Sequence, residues 1–275
     1  MIYKYIVLLR GFIINTNSIK IHSKEAFQGM RKVGKLAAEL LDLFVDKVKP
    51  GITTEYLDSF AYEFIKDNGA IPAPLNYRGF KKSICTSLNH VICHGIPGDR
   101  VLDEGDIVNI DVTLILDGWH GDTSRMYSAG NPSVKARNLI NNTYEAMMKG
   151  INLIKPGVKL GDLGFIIQDH AEKNNYSVVR EFCGHGLGEV FHDEPNILHY
   201  GVEDTGLSLQ EGMFFTVEPM VNIGKPESKI LSDGWTAVTR DRSLSAQFEH
   251  SVGVTSDGVE IFTKSLNKSA NPIEK

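Results

Sequence analysis

Cysteine is scarce in this sequence, long apolar runs are absent and positive charge is not in excess. Only three of the 275 residues are cysteine, and no two of them have a Cys-x-x-Cys spacing. This argues against a disulfide framework or a structural zinc site, and it fits a reducing compartment such as the cytoplasm. No apolar run is long enough to cross a bilayer, so no membrane contact is expected. The net charge of −5 argues against nucleic-acid binding.

The first 24 residues contain no aspartate or glutamate, although they include four basic residues. An arginine interrupts their apolar stretch and no A-x-A cleavage site follows, which argues against a secretory signal. We interpret residues 1–18 as an N-terminal extension, either an edge strand or the result of an upstream start codon. An organelle transit peptide is the alternative, because such peptides are basic and poor in acidic residues.

Apolar residues at helical spacing predict two pairs of helices. The first helix begins at Ser23 and ends before Pro50-Gly51, and a second covers about 54–68. The same order recurs with a helix between Asn131-Pro132 and Pro156-Gly157, followed by one over about 160–174. Short strands are predicted after each pair, over 83–87, 90–94 and 106–116 in the first half and over 178–183, 213–221 and 247–254 in the second.

The two halves correspond to each other along the sequence. Lys49-Pro50-Gly51 recurs as Lys155-Pro156-Gly157, an offset of 106 residues. Asp111 shifted by this offset falls one residue from Glu218, so each half carries an acid in a β-like run. We therefore predict an α+β fold that arose by internal duplication. Its two αα-β halves would be related by a pseudo-twofold axis across which their acids meet.

The most informative local feature is a hairpin that carries two acids. Asp117-Gly118 predicts a two-residue turn, which places Thr113 opposite Asp122 and Asp111 opposite Ser124. Because side chains alternate between faces, Asp111 and Asp122 lie on one face as diagonal neighbours, roughly 7–8 Å apart at the backbone. Two carboxylates this close on a buried face repel each other and lose solvation, and a multivalent cation would relieve both effects. A solvent-facing hairpin is the alternative, but the apolar residues between these positions indicate burial on both faces.

Three further residues could join the two aspartates. Glu218 and Glu249 lie in β-like runs, and His185 lies in a glycine-rich segment. Each residue alone is weak evidence for a site, because a lone glutamate in a strand usually faces solvent and a lone histidine is usually structural. Together with Asp111 and Asp122 they form four carboxylates and one imidazole. Two divalent cations would balance four negative charges, and this oxygen-rich set favours Mn, Fe(II) or Co over a thiolate-type zinc site.

Other histidines and aromatic residues are candidates for binding a substrate. His94 and His192 are candidate donors to a substrate amide or a tetrahedral oxyanion, with ordinary loop histidines as the alternative. Aromatic residues that could line a pocket, or could equally belong to the core, are Tyr77, Phe80, Phe191 and Trp235. The sequence gives no functional role to His90, His120, His199 and His250.

Six ordered motifs resemble those of the type I methionine aminopeptidases. They are VICHGIP at 91–97, NIDV at 109–112, HGDTS at 120–124, CGHGLG at 183–188, TVEPM at 216–220 and SAQFEH at 245–250. The match runs from about Ile19 to Phe262, and six motifs in order are far more specific than one. The resemblance implies a pita-bread (creatinase/aminopeptidase) fold, with two pseudo-twofold-related halves around one antiparallel sheet.

The resemblance also implies functional residues. Two divalent ions (Co, Mn, Fe(II) or Zn) would be bound by Asp111, Asp122, His185, Glu218 and Glu249. Asp122 and Glu249 would bridge the ions, and Glu218 would also carry the proton to the leaving amine. His94 and His192 would contact the scissile peptide. The methionine pocket would be lined by Tyr77, Phe80, Cys85, Phe191 and Trp235.

The implied reaction removes the initiator methionine from new proteins whose second residue is small, by attack of a metal-bridging hydroxide on the first peptide bond. The expected protein is a cytoplasmic monomer with transient ribosome contact. We predict an extension over 1–18, one catalytic domain over 19–265 and a tail over 266–275. The alternatives are a prolidase or X-Pro aminopeptidase, which normally has an additional N-terminal domain, and a non-catalytic binding module of the same fold.

Three positions depart from the family pattern. Glu189 stands where the family usually has a basic residue, which reverses the charge near the rim and puts peptide affinity or orientation in question. Pro74 and Phe80 stand where cysteine and tyrosine are common, which would change the shape of the pocket rather than the chemistry.

Overall fold

A computed structural model describes residues 19–267 of the chain. The predicted extension over 1–18 lies outside the described residues, as do residues 268–275 of the predicted tail. The first two tail residues are held against the N-terminal helix, because the Leu266 and Asn267 backbone N–H groups donate to the Asp42 carboxylate at 3.2 and 3.4 Å. Among the described residues, no helix is both long and apolar enough to cross a bilayer.

The helices form two consecutive pairs, as predicted. Their bounds are α1, Lys24–Phe44; α2, Thr54–Asp67; α3, Val134–Leu153; and α4, Leu160–Lys173. The apolar face of α1 is buried along its whole length. The predicted start of α3 at Asn131-Pro132 is wrong by two residues. Ser133 is the N-cap, because its hydroxyl accepts the Ala136 N–H at 3.2 Å and so fixes where the helix begins.

The strands pair antiparallel throughout the described residues. Their bounds are β1, Ile71–Pro72; β2, Cys85–Leu88; β3, Val91–Cys93; β4, Ile107–Leu116; β5, Trp119–Ser128; β6, Ser177–Val178; β7, Gly184–Gly186; β8, Asp193–Ile197; β9, Phe214–Val217; β10, Met220–Asn222; β11, Ser228–Ile230; β12, Ala237–Thr239; β13, Ser245–Gln247; β14, Glu249–Val254; and β15, Val259–Ile261. Within residues 19–267, the main sheet has the order β1-β4-β5-β14-β9-β7-β8, with β2 beside β4 and β15 beside β14. Two smaller sheets, β13-β10-β6 and β11-β12-β3, lie beside it.

Three predicted strands in the second half are wrong in extent. The run over 213–221 is two strands, because Pro219 has no N–H to continue the ladder and Glu218 therefore lies just beyond β9. The run over 247–254 is divided at Phe248, where the chain passes from one sheet to another. The run over 178–183 is a strand only at 177–178, where β10 offers a partner.

The β4–β5 hairpin has the predicted register. Asp111 pairs with Ser124 and Thr113 pairs with Asp122. The turn residues Asp117 and Gly118 have φ of 52° and 85°, as a tight hairpin turn with two left-handed residues requires. The apolar positions of β4 face α1, so its polar positions face the opposite side of the sheet, which is where the site lies.

The two halves have matching hydrogen bonds around their helix pairs. Gly51 N–H donates to Leu102 O at 2.9 Å, and Gly157 N–H donates to Leu209 O at 2.9 Å. The glycines are 106 residues apart and the acceptors 107, so the second half contains one additional residue between these points. The offset that applies to the strand carrying Asp111 is therefore 107.

The corrected offset makes Asp111 the counterpart of Glu218. A second pair of acids, 127 residues apart, is related by the same axis, because β5 and β14 pair with each other about it. In that pairing Thr123 lies opposite His250, and Glu249 lies opposite Ser124. The residue before Thr123 is Asp122 and the residue before His250 is Glu249, so these two acids occupy equivalent positions. The predicted meeting of acids across a pseudo-twofold axis therefore involves two pairs.

Candidate metal centre and substrate pocket

The centre of the main sheet holds a buried cluster of carboxylates around one imidazole. Potential ligand atoms of Asp122, His185 and Glu249 all lie within 4.8 Å of one another. His185 Nε2 is 3.5 Å from Asp122 Oδ2 and 3.7 Å from Glu218 Oε1. The structure thus brings together residues from β5, β7, β9–β10 and β14 that the sequence predicted as one set.

Neighbouring hydroxyl groups orient the carboxylates. Thr113 Oγ1 donates to Asp122 Oδ1 at 2.7 Å, and Thr216 Oγ1 donates to Glu218 Oε1 at 2.7 Å. Asp122 keeps its second oxygen, Oδ2, toward His185, whereas the second oxygen of Glu218 accepts a bond from Gln247 Nε2 at 3.3 Å. His185 Nδ1 lies 3.0 Å from Gly186 O, so this nitrogen carries the proton and Nε2 offers its lone pair to a metal.

Burial sets the protonation of the cluster. It raises the pKa of Asp111 to about 7, and it raises the pKa values of Asp122, Glu218 and Glu249 well above their usual range, with the charges of the neighbouring carboxylates adding to the effect. Burial lowers the pKa of His185 to about 4, so its imidazole is neutral. Neutral imidazole and closely spaced carboxylates are the donor set of a divalent cation, and the residues therefore fit a metal centre.

We expect metal affinity to fall as pH decreases through 7. A carboxyl whose pKa is about 7, as burial makes that of Asp111, must lose its proton when a cation binds. Competition between protons and the cation for the Asp111 carboxylate alone weakens metal binding about tenfold between pH 8 and pH 6. His185 does not contribute, because its pKa of about 4 keeps it neutral throughout. Mn²⁺ titrations at pH 6, 7 and 8 measure the effect, and an affinity that is constant or greater at pH 6 would contradict it.

His199 is a residue of the site that sequence reasoning missed. Its ring is buried, and Nε2 accepts the Glu218 backbone N–H at 3.0 Å. This bond holds the backbone at the point where Pro219 interrupts the strand. Nothing in the residue pattern near His199 indicates this hydrogen bond. The bond joins a loop side chain to a main-chain N–H group 19 residues away, and a main-chain group leaves no sequence signal.

Replacing His199 by leucine should weaken metal binding about 10- to 100-fold, the usual effect of losing a group that orients a ligand. The Glu218 N–H would lose its buried acceptor, and the carboxylate would no longer be fixed. The matched control is His250→Leu, because that ring bonds Thr263 and not a carboxylate of the cluster. Calorimetric titration of both variants with Mn²⁺ tests this, and equal losses in both would refute a specific role for His199.

Aromatic rings and two histidines surround the open side of the cluster. His192 lies 4.3 Å from His185 between ring centroids, and its Nδ1 is 3.0 Å from the Tyr77 hydroxyl. The ring centroid of Phe191 lies 4.9 Å from that of Tyr77 and 4.0 Å from that of His192. The structure therefore places His192 and Phe191 against the predicted metal ligand His185, with Tyr77 packed against both of them.

The remaining predicted pocket residues form a second group of contacts. Trp235 lies 5.2 Å from Phe80 and 6.3 Å from His94, all between ring centroids. Cys85 is buried and pairs with Asp111 across β2 and β4. Phe182, which sequence reasoning missed, lies 5.6 Å from His94, and its place beside the glycine-rich segment was the available signal.

The departure at Glu189 is compensated locally. Glu189 is exposed and forms an ion pair with Lys20, so the reversed charge at the rim has a partner within the same chain. Pro74 is buried in the loop before Tyr77, and Phe80 is buried against Trp235. Both departures therefore concern the walls of the pocket, and neither touches the carboxylate cluster.

A duplicated α/β architecture with buried carboxylates and one imidazole at its centre is that of a metal-dependent hydrolase. The model of metallopeptidase family M24 matches residues 28–256, and the chain belongs to this family. It is 62% identical over 257 residues to a methionine aminopeptidase of Rickettsia prowazekii (strain Madrid E), covering 93% of this chain and 99% of that protein.

Solved structures show the same fold. The crystal structure of methionine aminopeptidase from Rickettsia prowazekii superimposes with a TM-score of 0.89 at 62% identity, covering 90% of this chain and 100% of that one. A prolidase from Pyrococcus furiosus superimposes with a TM-score of 0.72 at 21% identity, covering 90% of this chain and 66% of the prolidase. The predicted pita-bread fold is confirmed, and the protein is a metallopeptidase.

Proposed function

We propose that this protein is a methionine aminopeptidase that removes the N-terminal methionine from polypeptides whose second residue is small. The observation that carries the proposal is the buried cluster around His185, which lies beside aromatic rings of the kind that a thioether side chain packs against. The high identity to the Rickettsia prowazekii enzyme supports the same substrate.

We propose that two divalent ions are held by Asp111, Asp122, His185, Glu218 and Glu249. Two ions balance four carboxylates, and the equivalence of Asp122 and Glu249 about the pseudo-twofold axis suits ligands shared between two ions. When bound, such ions polarise a peptide carbonyl and lower the pKa of water toward neutrality. The oxygen-rich set favours Mn, Fe(II) or Co, with Zn as a further candidate.

The side chains around the cluster act on the substrate in distinct ways. With its proton on Nε2, His192 presents Nε2–H to the scissile carbonyl while its Nδ1 accepts the Tyr77 hydroxyl. His94 contacts the scissile peptide from the Trp235 side of the pocket. Glu218 accepts a proton from the attacking water and delivers it to the leaving amine. The methionine side chain lies among the rings of Phe80, Phe191 and Trp235, with Tyr77 and Cys85 beside them.

The test is peptidase activity of the metal-free protein reconstituted with Mn, Fe(II), Co or Zn, anaerobically for Fe(II). The substrates are Met-Ala-Ser, Met-Leu-Ser, N-acetyl-Met-Ala-Ser and Ala-Pro-Ser. We expect metal-dependent release of methionine from Met-Ala-Ser alone. Release from none of them, or preference for Ala-Pro-Ser, would overturn the proposal.

The main competing function is that of a prolidase or X-Pro aminopeptidase. The prolidase of Pyrococcus furiosus has the same fold, but at 21% identity the likeness shows the fold alone. The identity to a methionine aminopeptidase is three times higher, which favours methionine as the substrate. A non-catalytic binding module is disfavoured because the potential ligand atoms converge within 4.8 Å.

We further propose a cytoplasmic monomer that contacts ribosomes transiently. The three cysteines are free, as a reducing compartment allows. All proposed site residues lie between Tyr77 and Glu249 of one chain, so no second copy is needed to complete the site. They fall within the proposed catalytic domain over 19–265.

A further inference from the structure

The loop that carries Tyr77 has an unusual backbone. Asn76 has φ of 66°, Arg78 of 48° and Gly79 of 95°, all in the left-handed region. Asparagine and glycine adopt this region readily, whereas arginine does so rarely. Backbone hydrogen bonds hold the turn, with Asn76 N–H donating to Phe80 O at 2.7 Å. The conformation fixes Arg78 directly beside the ring that contacts His192.

Arg78 covers the outer face of that ring. Its Cζ atom lies 5.2 Å from the centroid of the Tyr77 ring, a distance typical of cation–π contact. The Tyr77 ring centroid is in turn 5.3 Å from that of His192. A guanidinium group is therefore held at a fixed place near the proposed position of the scissile bond.

The charge of Arg78 has no ion-pair partner in the described part of the chain, because no carboxylate of residues 19–267 lies within 4.0 Å of it. Two other cations near the site are paired, Lys20 with Glu189 and Lys82 with Glu55. Arg78 is also exposed. Its charge is therefore available to a bound molecule.

The open side of the site faces Arg78. Asp122 and Glu249 are buried, whereas His192 is exposed and Tyr77 is half-buried. A polypeptide whose first peptide bond lies at His192 must leave through this exposed side. The 5.3 and 5.2 Å steps from His192 to Arg78 set an upper limit on their separation. An extended chain, which advances about 3.3–3.6 Å per residue, reaches that limit by its fourth residue.

We propose that Arg78 is a specificity-determining residue that favours polypeptides with an acidic side chain at their third or fourth position. This inference depends on the proposed aminopeptidase function. The contact is an ion pair between the guanidinium group and a substrate carboxylate. The cation–π contact with the Tyr77 ring holds the guanidinium group in place. Asp193 and Glu194 follow His192 and carry the opposite charge, but Asp193 is engaged by the Glu194 N–H at 2.9 Å. A preference for basic peptides would be expected if these two acids dominated.

The experiment measures kcat/KM on amidated peptides, Met-Ala-X-Ser-Gly and Met-Ala-Ser-X-Gly, with X as Glu, Gln or Lys. We expect the Glu peptide to be cleaved about two- to fivefold more efficiently than the Lys peptide at one of these positions, as for an exposed ion pair. The ratio should shrink toward one in 0.5 M NaCl because salt screens exposed charges. The salt series uses only the unmodified protein.

Variants then assign the preference to one side chain. Arg78→Gln should bring the Glu/Lys ratio to about one, and Arg78→Glu should invert it. Each ratio compares two peptides on the same enzyme, so a general loss of active protein cancels. The matched control is Lys81→Gln, which removes the same charge from the same loop but lies in the groove beside α2. Its ratio should equal that of the unmodified protein.

The outcomes separate this inference from the proposed function. Cleavage of all peptides with equal efficiency, or a preference for Lys, would overturn the role of Arg78 while leaving the aminopeptidase function intact. A Glu preference that persists in Arg78→Gln would also overturn it. Failure of the unmodified, metal-loaded protein to release methionine from any peptide would instead overturn the proposed function.

Discussion

Asp122→Asn should abolish metal binding at stoichiometric concentrations and lower kcat/KM on Met-Ala-Ser about a thousandfold. Asp122 Oδ2 lies 3.5 Å from His185 Nε2, and its carboxylate converges with Glu249 on the same point. An amide has the same shape but cannot supply negative charge to a cation. Bound metal contributes several kcal/mol of transition-state stabilisation, and about 4 kcal/mol corresponds to a thousandfold in rate. Metal analysis after gel filtration, together with peptide kinetics, measures both effects.

The chain offers a matched control in the same hairpin. Asp117→Asn is the same chemical change at the turn, where the side chain is 64% exposed and pairs only with Lys32. Asparagine tolerates the positive φ of this position, so the turn should persist. We expect full metal content and activity in this variant. Equal loss in both variants, or full metal retention by Asp122→Asn, would refute the role of Asp122.

Stability of the metal-free protein separates a ligand role from a structural one. Burial and neighbouring charge raise the pKa of Asp122 well above its usual range, so the ionised carboxylate is unfavourable in the folded metal-free state. Asparagine removes this unfavourable charge and still accepts the Thr113 hydroxyl bond. The Tm of metal-free Asp122→Asn should therefore equal or exceed that of the metal-free parent. A purely structural aspartate would give the opposite result.

Sequence reasoning succeeded where the determinants are local or repeated. Asp117-Gly118 fixes the hairpin register, so the pairing of Asp111 with Ser124 follows from the turn alone. The recurrence of Lys-Pro-Gly revealed the duplication, because the glycine of each copy makes the same backbone hydrogen bond, to Leu102 in one half and to Leu209 in the other. Six motifs in order then gave the family, which the match over residues 28–256 confirms.

Sequence reasoning failed where long-range geometry decides. The offset of 106 missed Glu218 by one residue. The second half contains one additional residue, and no feature of the sequence indicates where it was inserted. His199 had no recognisable pattern, since its partner is a backbone N–H group rather than a side chain. The strain at Arg78 was equally invisible, because a left-handed arginine depends on the contacts that hold the turn. These positions all adjoin the site. There the placement of functional groups, rather than the local conformational preference of each residue, determines the structure.

His192→Ala should lower kcat about 100- to 1000-fold while the metal content stays unchanged. A hydrogen-bond donor aimed at a developing oxyanion typically contributes this much. The rings packed against the His192 imidazole desolvate it and lower its pKa far below its usual range, so the ring is neutral and has a single N–H. We assign this N–H to Nε2, which leaves Nδ1 to accept the Tyr77 hydroxyl at 3.0 Å.

A second variant tests whether the Tyr77 hydroxyl orients the His192 ring. Tyr77→Phe retains the aromatic ring and His192 itself, but it removes the hydroxyl that orients the imidazole. We expect an intermediate fall in kcat, about tenfold, with little change in KM, because the oxyanion contact is made in the transition state rather than in the bound substrate. The double variant should be no worse than His192→Ala, since the hydroxyl acts only through the ring. Additive losses, or a loss of metal in His192→Ala, would show that the two side chains support the centre in some other way.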